Sequence, residues 1–296
     1  MTGALWSAKG LLLLALGLVA LGYLAVLVLA LARPAEGARA RPTARALITG
    51  AVTNFFDTLG IGSFAPTTSI LRSWRLVRDE WIPGTLNVGH TLPTVVQAFI
   101  FTRIVPVDSR TLILMIGAAI TGAWLGAGVV AGWPRRRVQI GMGIALIAAA
   151  GILLLLQLGL IPGGGTALGL SGGRLAVAVG GNLLLGALMT LGIGLYAPCM
   201  ILISMLGMSP TTAFPIMMGS CAFLMPVASV RFIRAGSYDR SASIGLLFGG
   251  IPAVLVAAFI VKSLPLGAVR YLVVVVVLYT AVSLLRAART PQRLSQ

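Results

Sequence analysis

Apolar residues dominate the chain in runs long enough to cross a lipid bilayer, and short polar or basic segments separate these runs. A membrane helix needs about 20 predominantly apolar residues. The runs predict uninterrupted helices at about 11–32, 84–102, 111–132, 138–157, 212–232, 242–261 and 268–286. The first run exceeds the about 7–15 apolar residues of a signal peptide, so we expect a membrane helix there. The pattern predicts an all-α polytopic membrane protein.

Two further apolar runs, at about 46–71 and 175–206, are each interrupted by the same motif. Residues 58–66 read TLGIGSFAP and residues 190–198 read TLGIGLYAP, with seven of nine residue types identical. Glycine and proline disfavour a helix interior. A break at membrane depth is tolerated only where protein or a water-filled cavity satisfies the freed backbone groups. Two matched breaks are typical of transporters built from repeats.

We interpret the chain as a duplicated unit preceded by one extra helix. The predicted divisions are an N-terminal helix with a basic loop, a first repeat, a glycine-rich linker, and a second repeat with a tail, at 1–43, 44–157, 158–173 and 174–296. Each repeat has a broken, re-entrant helix pair followed by three membrane helices. If each broken segment enters and leaves on one side, the two repeats have inverted topology, which is the basis of alternating access.

The distribution of basic residues favours this topology. The net charge is +16, and sixteen of the 22 lysines and arginines lie in 33–45, 72–81, 133–137, 231–240 and the tail from 286. With re-entrant pairs these segments share one side, which the positive-inside rule assigns to the cytoplasm. We therefore expect a cell-membrane protein with a cytoplasmic C-terminus and an N-terminus outside. Short basic loops between apolar runs also argue against nucleic-acid binding.

Composition limits the chemistry. Only 9% of the residues are charged, with six acidic residues and one histidine. Both cysteines, Cys199 and Cys221, stand in apolar surroundings without a metal-binding spacing. We expect no disulfide, no metal site, no cofactor and no enzyme, because no paired carboxylates, His-rich site or nucleophile beside a base is present.

The two breaks predict an anion site. A half-helix that starts at mid-membrane presents unpaired backbone N–H groups and the positive end of its dipole. Proline suits the first turn, and nearby hydroxyl groups add donors. The predicted substrate-binding residues are Asn54, Asp57, Thr58, Gly60, Gly62, Ser63, Pro66, Thr67, Thr68, His90, Gln97, Thr190, Gly192, Gly194, Tyr196, Pro198, Cys199 and Ser220. The alternative is that the glycines only allow close helix packing.

Several of these residues have two interpretations. Asp57 either carries a coupling proton or sodium ion or repels the wrong anion, or it caps the following half-helix or pairs with an arginine. His90 is either a proton carrier or a packed, hydrogen-bonded residue. The two cysteines either contact a sulfur substrate or fill space. Methionines around the second break are compatible with a copper pathway, but their irregular spacing favours packing.

The duplicated Gly-x-Gly-x-x-x-Pro break, at 60–66 and 192–198, resembles the sulfite exporter TauE/SafE family over about residues 44–286. The resemblance implies transport of sulfite, sulfonates or related sulfur anions across the cytoplasmic membrane, driven by an ion gradient or by the substrate gradient. Ser63 and Leu195 stand where a more glycine-rich form of the motif has a further glycine.

We therefore expect a secondary carrier or facilitator that holds a small sulfur-containing anion, such as sulfite, thiosulfate or a sulfonate, between the two breaks. The expected partners are this anion, a coupling proton or sodium ion, and the lipid bilayer. A second copy of the chain, in a homodimer, is a further candidate partner. The alternatives are a cation-coupled or cation-selective carrier that uses Asp57, and a membrane assembly factor without a transport cycle.

Overall fold

The computed structural model describes residues 7–32, 41–129, 135–160, 165–189 and 194–289. These residues form eleven α-helices: α1 Ala8–Ala32, α2 Ala44–Thr58, α3 Phe64–Ser73, α4 Ile82–Ile104, α5 Ser109–Val129, α6 Arg135–Gln157, α7 Gly172–Met189, α8 Tyr196–Met205, α9 Ala213–Arg234, α10 Arg240–Ser263 and α11 Leu266–Arg289. Two 3₁₀ turns, Asp79–Trp81 and Pro210–Thr212, lead into α4 and α9. The prediction of an all-α protein is confirmed for the described residues.

Five of the described helices, α1, α7, α9, α10 and α11, are long and apolar enough to cross a membrane. Large apolar side chains cover their outer faces, and Leu21 and Phe259 are 65% and 74% exposed. Exposed apolar surface on this scale marks a face that contacts something other than water. The chain is therefore a multi-pass membrane protein.

Polar side chains determine where several helices begin. Thr43 precedes α2, and its hydroxyl oxygen accepts a hydrogen bond from the Ala46 N–H at 3.2 Å. Asp239 precedes α10, and its carboxylate accepts from the Ala242 N–H at 2.7 Å. Such caps satisfy backbone donors that have no partner within the first helical turn.

The helix pair α2–α10 has one of the closest backbone contacts in the protein. A Cβ atom at Gly50 would overlap the backbone of Leu246, and one at Gly250 would overlap the side chain of Asn54. Residue numbers increase together along this contact, so the two helices are parallel. Glycine allows the approach because it has no side chain between the backbones.

The pair α5–α7 is built in the same way. Asn182 of α7 donates a hydrogen bond from Nδ2 to the carbonyl oxygen of Met115 at 2.7 Å. One turn further along both helices, a Cβ atom at Gly186 would overlap the backbone of Ala119. This pair is therefore also parallel and also depends on glycine.

Helices α4 and α9 cross the centre of the protein in opposite directions. The rings of Phe101 and Phe214 stack with centroids 5.1 Å apart. At the other end of the crossing, the hydroxyl oxygens of Thr91 and Ser229 lie 2.8 Å apart. This crossing joins the two halves of the sequence and supplies much of the buried core.

Helix α1 lies against the outside of this core. The Tyr23 hydroxyl donates to the carbonyl oxygen of Val88 in α4 at 2.8 Å, and Leu16 is buried. Most of the remaining surface of α1 faces outward. Next to it lies an apolar cavity of about 320 Å³ between α1, α4 and α10.

The segment between the halves is shorter than predicted. Helix α7 begins at Gly172, within the predicted linker 158–173, and residues 161–164 lie outside the described residues. The part at 165–171 is held to its neighbours: Ser209 N–H donates to the carbonyl oxygen of Ala167, and Asp108 N–H to that of Leu168, both at 2.8 Å. This glycine-rich segment is not helical, and backbone hydrogen bonds to neighbouring segments hold it in place.

Candidate functional site

The first interruption lies between α2 and α3, at residues 59–63. Gly60 and Gly62 have φ angles of 98° and 86°, in the left-handed region that other residues avoid. A Cβ atom on Gly60 would stand 3.0 Å from the sulfur of Met200 in α8. The chain therefore leaves the helix in a conformation that requires glycine, directly against a helix of the second half.

Asp57 lies in the last turn of α2, and its carboxyl group is enclosed by hydrogen-bond donors. The residue is only 3% exposed. Gln97 Nε2 in α4 donates to Asp57 Oδ2 at 2.9 Å, and the hydroxyl group and backbone N–H of Ser63 also face the carboxyl group. Across the described ranges, Asp57 forms no ion pair with an arginine or lysine. Neutral donors alone surround this buried acidic group.

Gln97 joins the two halves of the protein. Its Nε2 also donates to the hydroxyl oxygen of Thr58 at 2.9 Å. Its Oε1 accepts a hydrogen bond from the hydroxyl group of Tyr196 at 3.3 Å. Since Tyr196 is the first residue of α8 and belongs to the second copy of the motif, one glutamine connects both copies.

His90 is held between two other predicted residues. Its Nδ1 lies 3.0 Å from Asn54 Oδ1, and its Nε2 lies 3.0 Å from the Thr67 hydroxyl oxygen. Asn54 donates its Nδ2 to the carbonyl oxygen of Gly50, so its Oδ1 is the acceptor for His90. These partners assign the ring proton to Nδ1 and leave Nε2 to accept from Thr67. His90 thus links α2, α3 and α4 through both of its ring nitrogens.

Eight of the predicted residues therefore form one assembly, which we call the central polar cluster: Asn54, Asp57, Thr58, Ser63, Thr67, His90, Gln97 and Tyr196. All eight are buried, with relative exposures of 0–6%. Buried polar groups are stable only when they are hydrogen-bonded. The cluster is closed to solvent, and its members supply hydrogen-bond partners to one another.

One member of this region was not predicted from the sequence. Thr94 is 1% exposed, and its hydroxyl group faces Tyr196. It stands four residues after His90 and three before Gln97, and therefore on the same face of α4. Helical spacing between two predicted residues is the signal that identifies it.

The second copy of the motif is only partly described. Thr190 and Gly192 lie outside the described residues. Gly194 is exposed, and a Cβ atom there would meet no atom within 4 Å. Pro198 and Cys199 are buried in the first turn of α8 behind Tyr196. Among the described residues of this copy, Tyr196 alone is hydrogen-bonded to the central polar cluster.

Other predicted residues lie near the cluster without joining its hydrogen bonds. The Thr68 hydroxyl donates to the carbonyl oxygen of Phe64 at 2.8 Å, within α3. The buried Ser220 hydroxyl donates to that of Ile216 at 2.7 Å, within α9. Pro66 is half-buried in the first turn of α3. Their assignment to a substrate site stays a prediction.

Sulfur atoms line the side of the cluster that faces the second half. Cys199 and Cys221 are both buried free thiols. The thiol of Cys221 contacts the sulfur of Met189 at 3.8 Å. It is close enough to Asp57 for the two groups to interact electrostatically. Within the part of the chain that the structure describes, no group of three or more His, Cys, Asp or Glu side chains is placed to hold a metal ion.

No family model, curated protein or solved structure matches this chain. The resemblance to the sulfite exporter TauE/SafE family therefore stays a hypothesis, carried by residues 58–66 and 190–198.

Proposed function

We propose that this protein is a secondary transporter of small sulfur-containing anions, such as sulfite, thiosulfate or a small sulfonate. The observation that carries the proposal is the buried carboxyl group of Asp57, which Ser63 and Gln97 surround with donors and beside which no cation lies among the described residues. Donors that hold a carboxylate away from water offer the same interactions to an oxyanion. The resemblance of the two motifs to the sulfite exporter family supplies the substrate class.

The directions of the helices support a transport cycle. Helix α4 runs parallel to α10, because Gly89 lies against Ser243 and Leu246 and Pro93 against Gly250. Helices α2, α4 and α10 thus share one direction. Helix α9 is antiparallel to α4. The short connection at 105–108 reverses the direction of the chain between α4 and α5. Helix α7 is parallel to α5.

The helices that correspond in the two proposed repeats, α2 with α7, α4 with α9 and α5 with α10, would therefore point in opposite directions. Exchanging the halves also exchanges the close pairs α2–α10 and α7–α5, which both depend on glycine. This order supports inverted repeats, with the first interruption at 59–63. Inverted repeats give a protein two similar conformations that face opposite sides of a membrane.

The proposed topology has support from neighbouring chain segments. The Ser241 hydroxyl donates to the carbonyl oxygen of Arg41 at 2.8 Å, and Gly84 packs against Ser237. The segments that begin α2, α4 and α10 thus meet at one end, and all three belong to the basic segments. Arg136 similarly donates to the carbonyl oxygen of Ala288. We assign these ends to the cytoplasm, with the protein in the cell membrane.

A cation-coupled or cation-selective carrier is the second candidate, and the buried Asp57 carboxyl group favours it. A hard cation such as sodium requires several oxygen ligands that face it. The groups nearest to Asp57, the Ser63 N–H and the Gln97 amide, present hydrogen atoms instead. These neighbours favour an anion or a proton at this position over a metal cation.

Flux into proteoliposomes tests the proposal. Purified protein is reconstituted, and uptake of sulfite, thiosulfate, sulfate and a small sulfonate is measured with and without a proton gradient. We expect protein-dependent flux of one sulfur oxyanion that its analogues compete for. Protein-free vesicles and an Asp79→Asn variant, changed at an exposed ion pair with Arg72, serve as controls. Movement of a cation without any anion flux would replace this proposal with the second candidate.

A further inference from the structure

We propose that the Asp57 carboxylate is a tethered competitor of the transported anion, which can occupy the donors of Ser63 and Gln97 only after a proton has neutralised Asp57. This inference rests on the proposed anion transport and names its coupling ion as a proton. It treats Asp57 as an internal stand-in for the substrate, and not as a passive helix cap.

All hydrogen-bonding groups of the Gln97 side chain are already engaged. Its amide nitrogen has two hydrogens, and these are directed at Asp57 Oδ2 and at the hydroxyl oxygen of Thr58. Its amide oxygen accepts from Tyr196. No hydrogen on this side chain is left for a second acceptor. A substrate anion can use the Gln97 donor only where Asp57 gives it up.

Ser63 leads to the same conclusion. Its hydroxyl group and backbone N–H both face Asp57, at the residue that precedes α3. An ionised Asp57 thus holds the donors that a substrate would need at the start of this helix. Two negative charges that share one buried set of donors cannot both be stable. Binding of a substrate anion and ionisation of Asp57 therefore exclude each other.

Asp57 is the acidic group that suits this exchange. Described titratable side chains on the helices packed around it are His90 and Arg103 on α4, Tyr196 and Cys199 on α8, Cys221, Arg231 and Arg234 on α9, Arg72 on α3, and Arg240 and Lys262 at the ends of α10. His90 is bonded to Asn54 and Thr67. The neighbours of Asp57 are thus thiols, a phenol and an imidazole with its own partners, and none of them is a carboxyl group.

The exchange gives a balanced cycle. A proton from the acidic side adds to a carboxylate oxygen of Asp57, which becomes a neutral carboxyl group and loosens its hold on the donors. The anion then binds to Ser63 and Gln97. After the conformational change the anion leaves, Asp57 releases the proton on the same side, and its carboxylate returns to the donors. One proton crosses with each anion, in the same direction.

The test compares wild type, Asp57→Asn and the control Asp79→Asn, with thiosulfate as the probe because it stays ionised from mildly acidic to mildly alkaline pH. Binding is measured by the shift in thermal unfolding of the detergent-solubilised protein, since a ligand that binds the folded state raises the transition. For wild type and Asp79→Asn, we expect the apparent affinity for thiosulfate to rise about tenfold for each unit by which the pH is lowered. This slope applies over the pH range in which Asp57 of the unliganded protein is ionised. For Asp57→Asn, we expect binding without pH dependence.

Transport gives an independent result. In vesicles, a proton gradient should drive thiosulfate accumulation by wild type, and a pH-sensitive dye should report one proton for each anion. Asp57→Asn should still exchange thiosulfate but should not accumulate it. Should Asp57→Asn fail to fold, the proton count in wild type decides, and anion movement without protons would overturn the inference.

Different experimental results would overturn the proposed function and the competition between Asp57 and the substrate. A wild-type protein that neither binds nor moves thiosulfate, sulfite or a sulfonate at any pH overturns the proposed function. Anion binding whose pH dependence is unchanged in Asp57→Asn overturns only the competition between Asp57 and the substrate.

Discussion

The two motif copies have nearly the same sequence, but the residues around them differ in chemistry. The first copy stands among carboxyl, amide, hydroxyl and imidazole groups, whereas the second stands among thioether, thiol and apolar groups. At a spacing of 132 residues the pairs are Asn54 and Gly186, Asp57 and Met189, Ser63 and Leu195, and Thr67 and Cys199. The second half contributes chiefly Tyr196 to the central polar cluster.

This difference suggests that the duplication supplies the backbone architecture and one half supplies the chemistry. In the proposed transport cycle, helix pairs that pack closely through glycine would serve a symmetric conformational change equally well from both halves. A second carboxyl group in place of Met189 would put two like charges into one buried region and raise the cost of ionising either. In the proposed transport cycle, Asp57 stands before the first motif copy alone and provides one titrating group for one anion.

The largest effect should come from the glycine at the first interruption. Gly60→Val places a β-branched side chain at a φ of 98° and against Met200, and strain of this kind costs on the order of 1–3 kcal/mol. We expect flux to fall to background while membrane insertion persists. Gly194→Val, at the position equivalent to Gly62, is the comparison variant in the second copy, where a Cβ atom meets open space. Vesicle flux normalised to inserted protein measures both, and wild-type flux in Gly60→Val would remove the first interruption from the mechanism.

The next largest effect should follow from cutting the connection between the halves. Gln97→Leu removes one hydrogen-bond partner each from Asp57, Thr58 and Tyr196, and a buried polar atom left unpaired costs about 1–3 kcal/mol. We expect thermal unfolding several degrees lower and a large loss of flux. Asn87→Leu is the control on the same helix, because its side chain bonds only to the carbonyl oxygen of Pro83. Equal stability of the two variants would contradict a bridging role for Gln97.

A moderate effect is expected at His90, whose bonds are a donor to Asn54 and an acceptor for Thr67. His90→Gln can supply both kinds of group, so flux should stay within a few-fold of wild type. His90→Leu leaves Asn54 Oδ1 and the Thr67 hydroxyl group without their partner, and each should lower stability by about 1–3 kcal/mol. In both variants the pH profile of flux should keep its wild-type shape, because Asp57 carries the proton. Loss of the acid-stimulated rise in His90→Gln would move the proton to His90.

The smallest effect should come from the sulfur-lined side. Cys221→Ala removes a contact with Met189 that we interpret as packing of two soft, apolar groups. We expect flux within about twofold of wild type, since a small buried thiol behaves as an apolar filler. Thiosulfate and a sulfonate should be affected alike. A selective loss of thiosulfate flux would instead assign Cys221 a direct contact with the substrate.

The sequence identified much of the central polar cluster because its members occupy unusual positions. A carboxyl group, a histidine and a glutamine within apolar segments are costly unless they have partners, so each stands out. Thr68 and Ser220 show the limit of that argument. Each hydroxyl donates to a carbonyl oxygen in the preceding turn of its own helix, which satisfies it without any site. Composition cannot distinguish such a hydroxyl group from the one in Thr67, which reaches His90.

The amino-acid sequence is enough to predict that the chain is helical, crosses a membrane several times and carries the same motif twice. These properties follow from local hydrophobicity and from the backbone preferences of glycine and proline, which act over a few neighbouring residues. The contacts of Gln97 with Asp57 and Tyr196, which are 40 and 99 positions away in the chain, are visible in the folded protein alone. Those contacts depend on how glycines let α2 approach α10 and how α4 crosses α9, and no local pattern encodes that geometry.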